Sequence, residues 1–396
     1  MKIRNLLVYS ALYTALVQPV FAARFTYPEN PNDTVITQFH DDMPLTRSET
    51  DETLLDVARR FSLGQAEIVR LNPDVDRWNV KKGEIVRIPN KHILPDSPRE
   101  GLTLNVAEYR MYYYVPTQPG QPQQILSFAH GVGRQDWKTP VGKTTIAKKI
   151  KDPVWRPPES IRREHAAMGD PLPEVVPAGP HNPLGAYALY LNLPGDYRIH
   201  GTDIDKIFGI GMQITHGCVR MYPEDIEELY NTVSVGTPVY IVKQPIKVGW
   251  LNNILYIEAH PDLEGDEMTP EQRYNTAIAL IQKANNQILP DFNQQELTEV
   301  LTNLSGIPTP IFERIEMPTS DEVPVVNSTT SEETPVVPTI PTPVSIQTQT
   351  PVQIPTPETI VPSIPSIPAP MLQTPKKMPV SPRGYYSPRD AAAQGL

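Results

Sequence analysis

Cysteine is nearly absent from this sequence: Cys218 is the single one among 396 residues. One cysteine excludes an intramolecular disulfide framework and any metal site built from a cysteine cluster. Positive charge is not in excess either, because 35 lysine and arginine residues face 45 aspartate and glutamate residues. The resulting net charge of −10 argues against broad nucleic-acid binding.

Long hydrophobic runs are also missing. The mostly apolar run over residues 6–17 is too short to span a bilayer, and no later segment reaches the roughly 18 apolar residues that a span needs. The first run follows two basic residues and precedes a small-residue cleavage site ending at Ala22. These features predict a signal peptide over residues 1–22, with an uncleaved anchor as the alternative. The mature protein should then have no membrane span.

Aromatic residues become scarce after residue 306, where proline accumulates. Residues 307–396 hold 19 of the 46 prolines and three aromatic side chains. Such a segment buries too little apolar surface to offset chain entropy, so it is predicted to be a disordered Pro-rich tail. The rest of the chain is long enough for two or three folded units.

The segment 45–91 has the pattern of a small independent module. Helical spacing of apolar residues begins near Leu54, and a second helix should end at Asn72-Pro73. A turn at Lys82-Gly83 then leads into a strand. The runs T-L-L-D-V-A-R-R-F, I-V-R-L-N-P and K-K-G-E-I-V-R-I-P resemble the LysM module. This resemblance implies a βααβ unit that binds the glycan backbone of peptidoglycan or chitin. A helical hairpin with only a packing role is the alternative.

After residue 100, the residue pattern predicts strands first and helices afterwards. Alternating apolar and β-branched residues indicate strands at 102–106, 109–115, 125–129, 188–193 and 238–242. Helices are predicted to begin at Pro223, Thr269 and Asn293. The proline-rich segment 150–183 is long for a loop inside a compact domain, which suggests a functional role such as a substrate lid.

The surroundings of the single cysteine predict nucleophilic chemistry. Fourteen residues separate His200 from the run Thr215-His216-Gly217-Cys218. A neighbouring imidazole can convert a thiol into the reactive thiolate. Gly217 leaves the amides of Gly217 and Cys218 uncovered for a developing oxyanion. Arg220 is a natural partner for a substrate carboxylate. From the residues alone two alternatives stay open: a buried structural thiol, or a metal site using both histidines and the cysteine.

The same motif resembles the catalytic signature of YkuD-type L,D-transpeptidases. The run from Lys138 to Gly142 resembles that family's T-P-x-G turn, and the Pro183-Leu184-Gly185 run resembles its P-L-G segment. The order of signal peptide, LysM module and this domain resembles the ErfK/YbiS/YcfS/YnhG subgroup. Thr215 stands where serine is usual, and the tail has no counterpart in the family.

This resemblance implies a role for each motif residue. Cys218 is the nucleophile that becomes acylated, and His200 is the base. The carbonyl of Gly201 orients the imidazole. Gly217, His216 and Thr215 belong to the oxyanion and motif positions, and Arg220 binds a substrate carboxylate. No metal and no organic cofactor is implied.

The implied reaction uses a peptidoglycan tetrapeptide stem. Cys218 forms a thioester at meso-diaminopimelate, D-alanine leaves, and an amine then takes the stem. The subgroup favours a lysine of an outer-membrane lipoprotein or β-barrel protein as acceptor. A second diaminopimelate, which gives 3-3 cross-links, and water, which gives L,D-carboxypeptidase activity, are alternatives. Two further alternatives are a non-catalytic LysM wall-binding protein and a thiol peptidase acting on ordinary peptides.

The predicted fold class is α+β, with a mostly-β, β-sandwich-like catalytic domain, and the predicted compartment is the periplasm. The predicted units are a signal peptide (1–22), a LysM peptidoglycan-binding module (45–91), an L,D-transpeptidase catalytic domain (100–244), a helical C-terminal extension (245–306) and a disordered tail (307–396).

Overall fold

A computed structural model describes residues 22–38, 44–48 and 50–314 of the chain. The predicted signal peptide as far as residue 21, and the tail from residue 315, lie outside these ranges. Within them, no helix has the length and apolar character needed to cross a bilayer.

The described residues form strands and helices in mixed order, as expected for an α+β protein. The strands are β1 (Ala23–Thr26), β2 (Val35–Thr37), β3 (Leu45–Arg47), β4 (Ile85–Arg87), β5 (Lys91–Ile93), β6 (Gly101–Asn105), β7 (Arg110–Tyr114), β8 (Gln124–Ala129), β9 (Val132–Gly133), β10 (Gly142–Lys151), β11 (Tyr187–Leu191), β12 (Arg198–His200), β13 (Gln213–Thr215), β14 (Val219–Arg220), β15 (Pro238–Val242), β16 (Ile246–Leu251), β17 (Ile254–Ala259) and β18 (Thr309–Glu313). The helices are α1 (Leu54–Arg60), α2 (Gln65–Leu71), α3 (Glu159–Ala167), α4 (Pro223–Thr232), α5 (Pro270–Ala284) and α6 (Gln294–Asn303). Short 3-10 turns lie at Gln135–Trp137 and Ile204–Gly209.

Nine strands form one mixed sheet in the order β1-β8-β7-β6-β15-β10-β11-β12-β14. Neighbours are antiparallel except for β6 with β15 and β12 with β14. Gly131, just after β8, exchanges two backbone hydrogen bonds of 2.8 and 3.1 Å with Arg220 on the far edge strand. The sheet therefore curls round a single core, which includes Leu104, Phe128 and Ile199. The sequence predicted a sandwich-like domain, and the structure shows one curled sheet that encloses this core.

The sheet also takes in a strand that lies upstream of the predicted catalytic domain. Strand β1, over Ala23–Thr26, pairs with β8 in register from Ala23 opposite Ser127 to Thr26 opposite Gln124. The sheet thus begins far upstream of residue 100. Sequence reasoning did not connect this segment with the sheet, because the pairing joins residues about a hundred positions apart.

Residues 45–87 form the strand–helix–helix–strand order expected for the module. β3 pairs antiparallel with β4, and both helices bury Leu54, Val57 and Ile68. Helix α1 begins after Thr53, whose side chain accepts from the Asp56 amide in a capping box. The residue types alone favour Thr50 or Asp51 as the cap, which is two or three residues too early. The identity of this unit as a glycan-binding LysM module stays a prediction.

The turn between α1 and α2 is docked onto the catalytic region. The Gln65 amide donates to the Ile210 carbonyl at 2.9 Å, and the Ser62 hydroxyl donates to Asp225 at 2.7 Å. A Cβ added to Gly64 or Gly211 would lie 2.8 Å or less from the other glycine's Cα, so the two backbones touch. The module is held against the catalytic region by direct contact.

The C-terminal region differs from its prediction. Residues 245–306 were expected to be helical, yet the segment opens with the hairpin of β16 and β17, against which α5 and α6 pack. Strand β18 completes this sheet beside β17, so the predicted tail does not begin at residue 307. Proline is tolerated in β18 because it is an edge strand, and Ile311 of that strand is buried.

Candidate active site

The parallel pairing of β12 with β14 brings the motif together. Ile199 lies opposite Val219 and His200 opposite Arg220. Ile199 and Val219 are buried in the core. Alternate residues of a strand point to opposite faces. His200 and Arg220 therefore share the other face, and Cys218, two residues before Arg220, continues on it.

The hydrogen bond at His200 determines its tautomer. Nδ1 lies 2.6 Å from the carbonyl oxygen of Gly201. A carbonyl can only accept, so Nδ1 carries the proton and Nε2 is left as an acceptor. Burial, together with the charges of Arg220 and Arg198, lowers the pKa of His200 to about 3. The imidazole is therefore neutral at physiological pH and is able to take a proton.

Cys218 is partly exposed and free. Burial raises the pKa of its thiol above the ordinary value, while the charge and the backbone amide of Arg198 oppose this without overcoming it. The resting pair is thus a neutral thiol and a neutral imidazole.

Gly217 adopts a backbone conformation that suits glycine alone. Its φ is +94°, and an added Cβ would lie 2.8 Å from Cε1 of Tyr197. The Gly217 carbonyl accepts from the Thr139 hydroxyl at 2.9 Å, and that hydroxyl accepts from the Gly133 amide at 3.1 Å. Thr139 belongs to the predicted T-P-x-G turn, so this turn braces the backbone beside the cysteine.

Thr215 and His216 lie in the loop directly before Gly217 and Cys218. The Thr215 hydroxyl donates to the Cys218 carbonyl at 2.6 Å, which closes the loop on itself. Nε2 of His216 lies 3.0 Å from a carboxylate oxygen of Glu164, and its ring meets Trp137 edge-on with centroids 5.5 Å apart. Burial lowers the pKa of His216, although the bond to Glu164 acts in the opposite direction.

Two charged residues of the site escaped sequence reasoning. Arg198 is buried on the face that carries Cys218, is paired with Asp196, and has its guanidinium carbon 4.7 Å from the ring centre of Tyr190. Glu164 lies on α3, inside the segment 150–183 that was predicted as a loop. Neither residue belongs to the recognised motif. Arg198 is two residues before His200, and this spacing on a strand was the one available signal.

The metal alternative finds no support at this site. His200, His216 and Cys218 do not converge as ligands. Within the part of the chain that the structure describes, the candidate group of converging ligands is Glu108, Glu258 and His260. There the Lys247 ammonium lies 2.5 Å from Glu108 and 2.9 Å from Glu258, so a resident cation already balances those carboxylates.

Comparison with known proteins gives consistent relatives. The family model described as the L,D-transpeptidase catalytic domain, YkuD, matches residues 99–241. The probable L,D-transpeptidase YbiS of Escherichia coli is 38% identical over 256 residues, which are 63% of this chain and 80% of that protein. The probable L,D-transpeptidase ErfK/SrfK of Salmonella typhimurium is 32% identical over 294 residues, 74% of this chain and 92% of the relative. Among solved structures, L,D-transpeptidase 3 of Mycobacterium tuberculosis is similar with a TM-score of 0.27 and 16% identity, covering 41% of this chain and 76% of that one.

Proposed function

Because this chain belongs to the L,D-transpeptidase family, whose members are cysteine-dependent acyltransferases, we propose that Cys218 carries the acyl group and that His200 moves the protons. The donor is a peptidoglycan tetrapeptide stem. The observation that carries this proposal is the Nδ1 bond from His200 to Gly201. It leaves Nε2 as a proton acceptor on the sheet face that Cys218 shares.

In the first half-reaction, Sγ of Cys218 attacks the carbonyl carbon of meso-diaminopimelate. The thiol proton passes to Nε2 of His200 as the C–S bond forms. The carbonyl oxygen becomes an oxyanion, which the amides of Gly217 and Cys218 stabilise. The C–N bond to D-alanine then breaks, and the leaving amine takes the proton from Nε2. A thioester on Cys218 remains.

In the second half-reaction, an amine attacks the thioester carbon. Its proton passes to Nε2 of His200, the C–S bond breaks, and the sulfur recovers that proton. Arg220 binds a free carboxylate of the stem. The proposed acceptor is a lysine of an outer-membrane lipoprotein or β-barrel protein, which would tether that protein to the wall. The order of signal peptide, LysM module and catalytic domain, which resembles the ErfK/YbiS/YcfS/YnhG subgroup, favours this choice over 3-3 cross-linking and hydrolysis.

The module at residues 45–91 is proposed to bind glycan strands of peptidoglycan. Its strand–helix–helix–strand order supports this. Binding to the polymer would keep the catalytic site near many stems and so increase its effective substrate concentration. Export to the periplasm by a signal peptide cleaved near Ala22 would bring the enzyme to that polymer.

Mass spectrometry of the intact protein tests the chemistry. Purified protein mixed with a disaccharide tetrapeptide should gain the mass of the fragment less D-alanine, and the Cys218→Ala variant should gain nothing. A wild-type protein that forms no adduct would favour the non-catalytic wall-binding alternative.

Analysis of sacculi tests the acceptor. Cells carrying Cys218→Ala should lose protein-linked stems if a lysine is the acceptor. Loss of 3-3 dimers with protein-linked stems intact would instead identify a second diaminopimelate as the acceptor. Loss of tripeptide stems alone would identify water.

A further inference from the structure

Helix α3 contributes a carboxylate to the loop 215–218, which contains Cys218 and is called the nucleophile loop below. Glu164 receives hydrogen bonds from one guanidinium nitrogen of Arg134 at 2.6 and 2.7 Å, one to each carboxylate oxygen. The same carboxylate meets Nε2 of His216 at 3.0 Å. About a quarter of the side chain is exposed, so both bonds are partly shielded from water.

The charge of Glu164 determines the direction of the bond to His216. Hydrogen bonds from Arg134 and His216 lower the pKa of Glu164 in spite of burial, so it is an ionised carboxylate that can only accept. Nε2 of His216 is therefore the donor. In neutral His216 this leaves Nδ1 without a proton. This tautomer is the opposite of the one found at His200.

Both partners of Glu164, Arg134 and His216, are connected to the backbone beside Cys218. The backbone amide of Arg134 donates to the Thr215 carbonyl at 2.9 Å. His216 is followed directly by Gly217, whose positive φ sets the direction of the Cys218 amide. A rotation of the His216 ring away from Glu164 would therefore disturb the backbone on which the proposed oxyanion site depends.

We propose that Glu164 is a positioning residue for the transpeptidase reaction. Its carboxylate connects α3 to the loop 215–218 by hydrogen bonds and holds His216 in the tautomer protonated at Nε2. The segment 150–183 is thus fixed to the nucleophile loop through one carboxylate. This inference rests on the proposed role of Cys218, and the experiment below separates the two.

The first measurement is the tautomer itself, which does not require activity. Long-range ¹⁵N–¹H spectra of the full chain with labelled histidine should show His216 with a protonated Nε2 and a bare Nδ1, assigned by loss of the signal in His216→Asn. In Glu164→Ala, which removes the acceptor, the His216 signals should move toward a mixture of tautomers. An unchanged pattern would contradict the proposal that Glu164 positions His216.

The second measurement is acylation of Cys218 by the disaccharide tetrapeptide. Glu164→Gln and Glu164→Ala should lower kcat by about 10- to 100-fold with KM within roughly twofold, because misplacement of reacting groups by an ångström has costs of this size. Glu164→Asp should recover part of the loss. A raised KM with unchanged kcat would place Glu164 in substrate binding and contradict a positioning role.

The matched control is Glu159→Gln on the same helix. Glu159 forms an exposed pair with Arg163 and should leave both measurements unchanged. Arg134→Lys keeps the charge but removes the two-oxygen contact, and it should fall between wild type and Glu164→Ala. If wild-type protein forms no adduct, the proposed function fails. If it forms one and the Glu164 variants match it, only this inference fails.

Discussion

At the residue scale, burial and nearby positive charge act on the pKa of Cys218 in opposite directions. Burial favours the neutral thiol, and the Arg198 guanidinium favours the thiolate. Burial, together with the charges of Arg220 and Arg198, lowers the pKa of His200 and keeps it neutral. The thiol and the imidazole are therefore both neutral before substrate binds, and in the proposed mechanism the imidazole receives the thiol proton during attack.

Replacement of Arg198 by glutamine should make the thiol less acidic. The substitution removes a positive charge beside Cys218 and leaves the backbone amide in place. The midpoint of the alkylation rate against pH, measured with iodoacetamide, should rise by about one pH unit. Arg198→Lys retains a charge and should restore part of the shift. A midpoint that is the same in all three proteins would show that Arg198 does not act on the thiol.

Residue types and spacing predicted most of the site. The parallel pairing of β12 with β14 places His200 opposite Arg220, two residues after Cys218, and the glycine requirement at Gly217 follows from its positive φ. Arg198 and Glu164 were missed. A charged residue next to a motif, or on an unrecognised helix, has no pattern that separates it from a solvated surface residue.

At the scale of elements, the proline and capping signals of α4, α5 and α6 were reliable, and lysine-rich strands were not. Helices α4, α5 and α6 begin where proline and capping residues predicted. Strand β10 was missed, because its lysines resemble a surface segment. In the sheet, Lys148 lies 4.2 Å from the ring centre of Tyr190 on the paired strand, so its stem and charge are accommodated by an aromatic face.

Two truncations test whether β18, which lies beyond the predicted start of the tail at residue 307, stabilises the protein. Removal of residues 315–396 should leave the free energy of unfolding unchanged within experimental error. Removal of residues 307–396 also deletes β18 and the buried Ile311, and should cost about 2–5 kcal/mol in urea denaturation. Equal stability of the two proteins would mean that β18 contributes nothing to the C-terminal sheet.

At the scale of the whole molecule, the docked module makes the region around the site depend on a separate unit. Asp225, near the start of α4, is buried and accepts from Ser62 of the module. Burial raises the pKa of Asp225 to about 8 from its ordinary 3.8. Between these values the unfolded chain has lost this proton while the folded chain keeps it. Stability must therefore fall as pH rises across that window, and stop falling above about pH 8.

Asp225→Asn should remove this pH dependence. The amide oxygen can still accept from Ser62, and no buried charge has to form. At pH 8 the variant should have a higher Tm than wild type and a higher free energy of unfolding, by roughly 5 kcal/mol for a shift of about four pKa units. The two proteins should converge toward pH 4. Asp205→Asn, an exposed site in a nearby turn, is the control. A constant difference at all pH values would show that Asp225 is ionised in the folded protein.

The sequence by itself determined the local and chemical features of this protein. Composition excluded disulfides and cysteine-cluster metal sites, and the spacing around Cys218 predicted the reacting groups. Periodicity, together with proline and capping residues, located five strands and three helix starts. These features depend on residues close together in the chain, or on residue types whose chemistry does not vary with context.

Only the tertiary structure decided which distant segments meet. It placed β1 in the catalytic sheet, curled that sheet into one layer around one core, and docked the module against the loop beside Tyr222. It also brought Glu164 to His216 and left Cys218 and His200 neutral. Pairing register, burial and the charges that face a side chain arise from long-range contacts, and these have no local signal in the sequence.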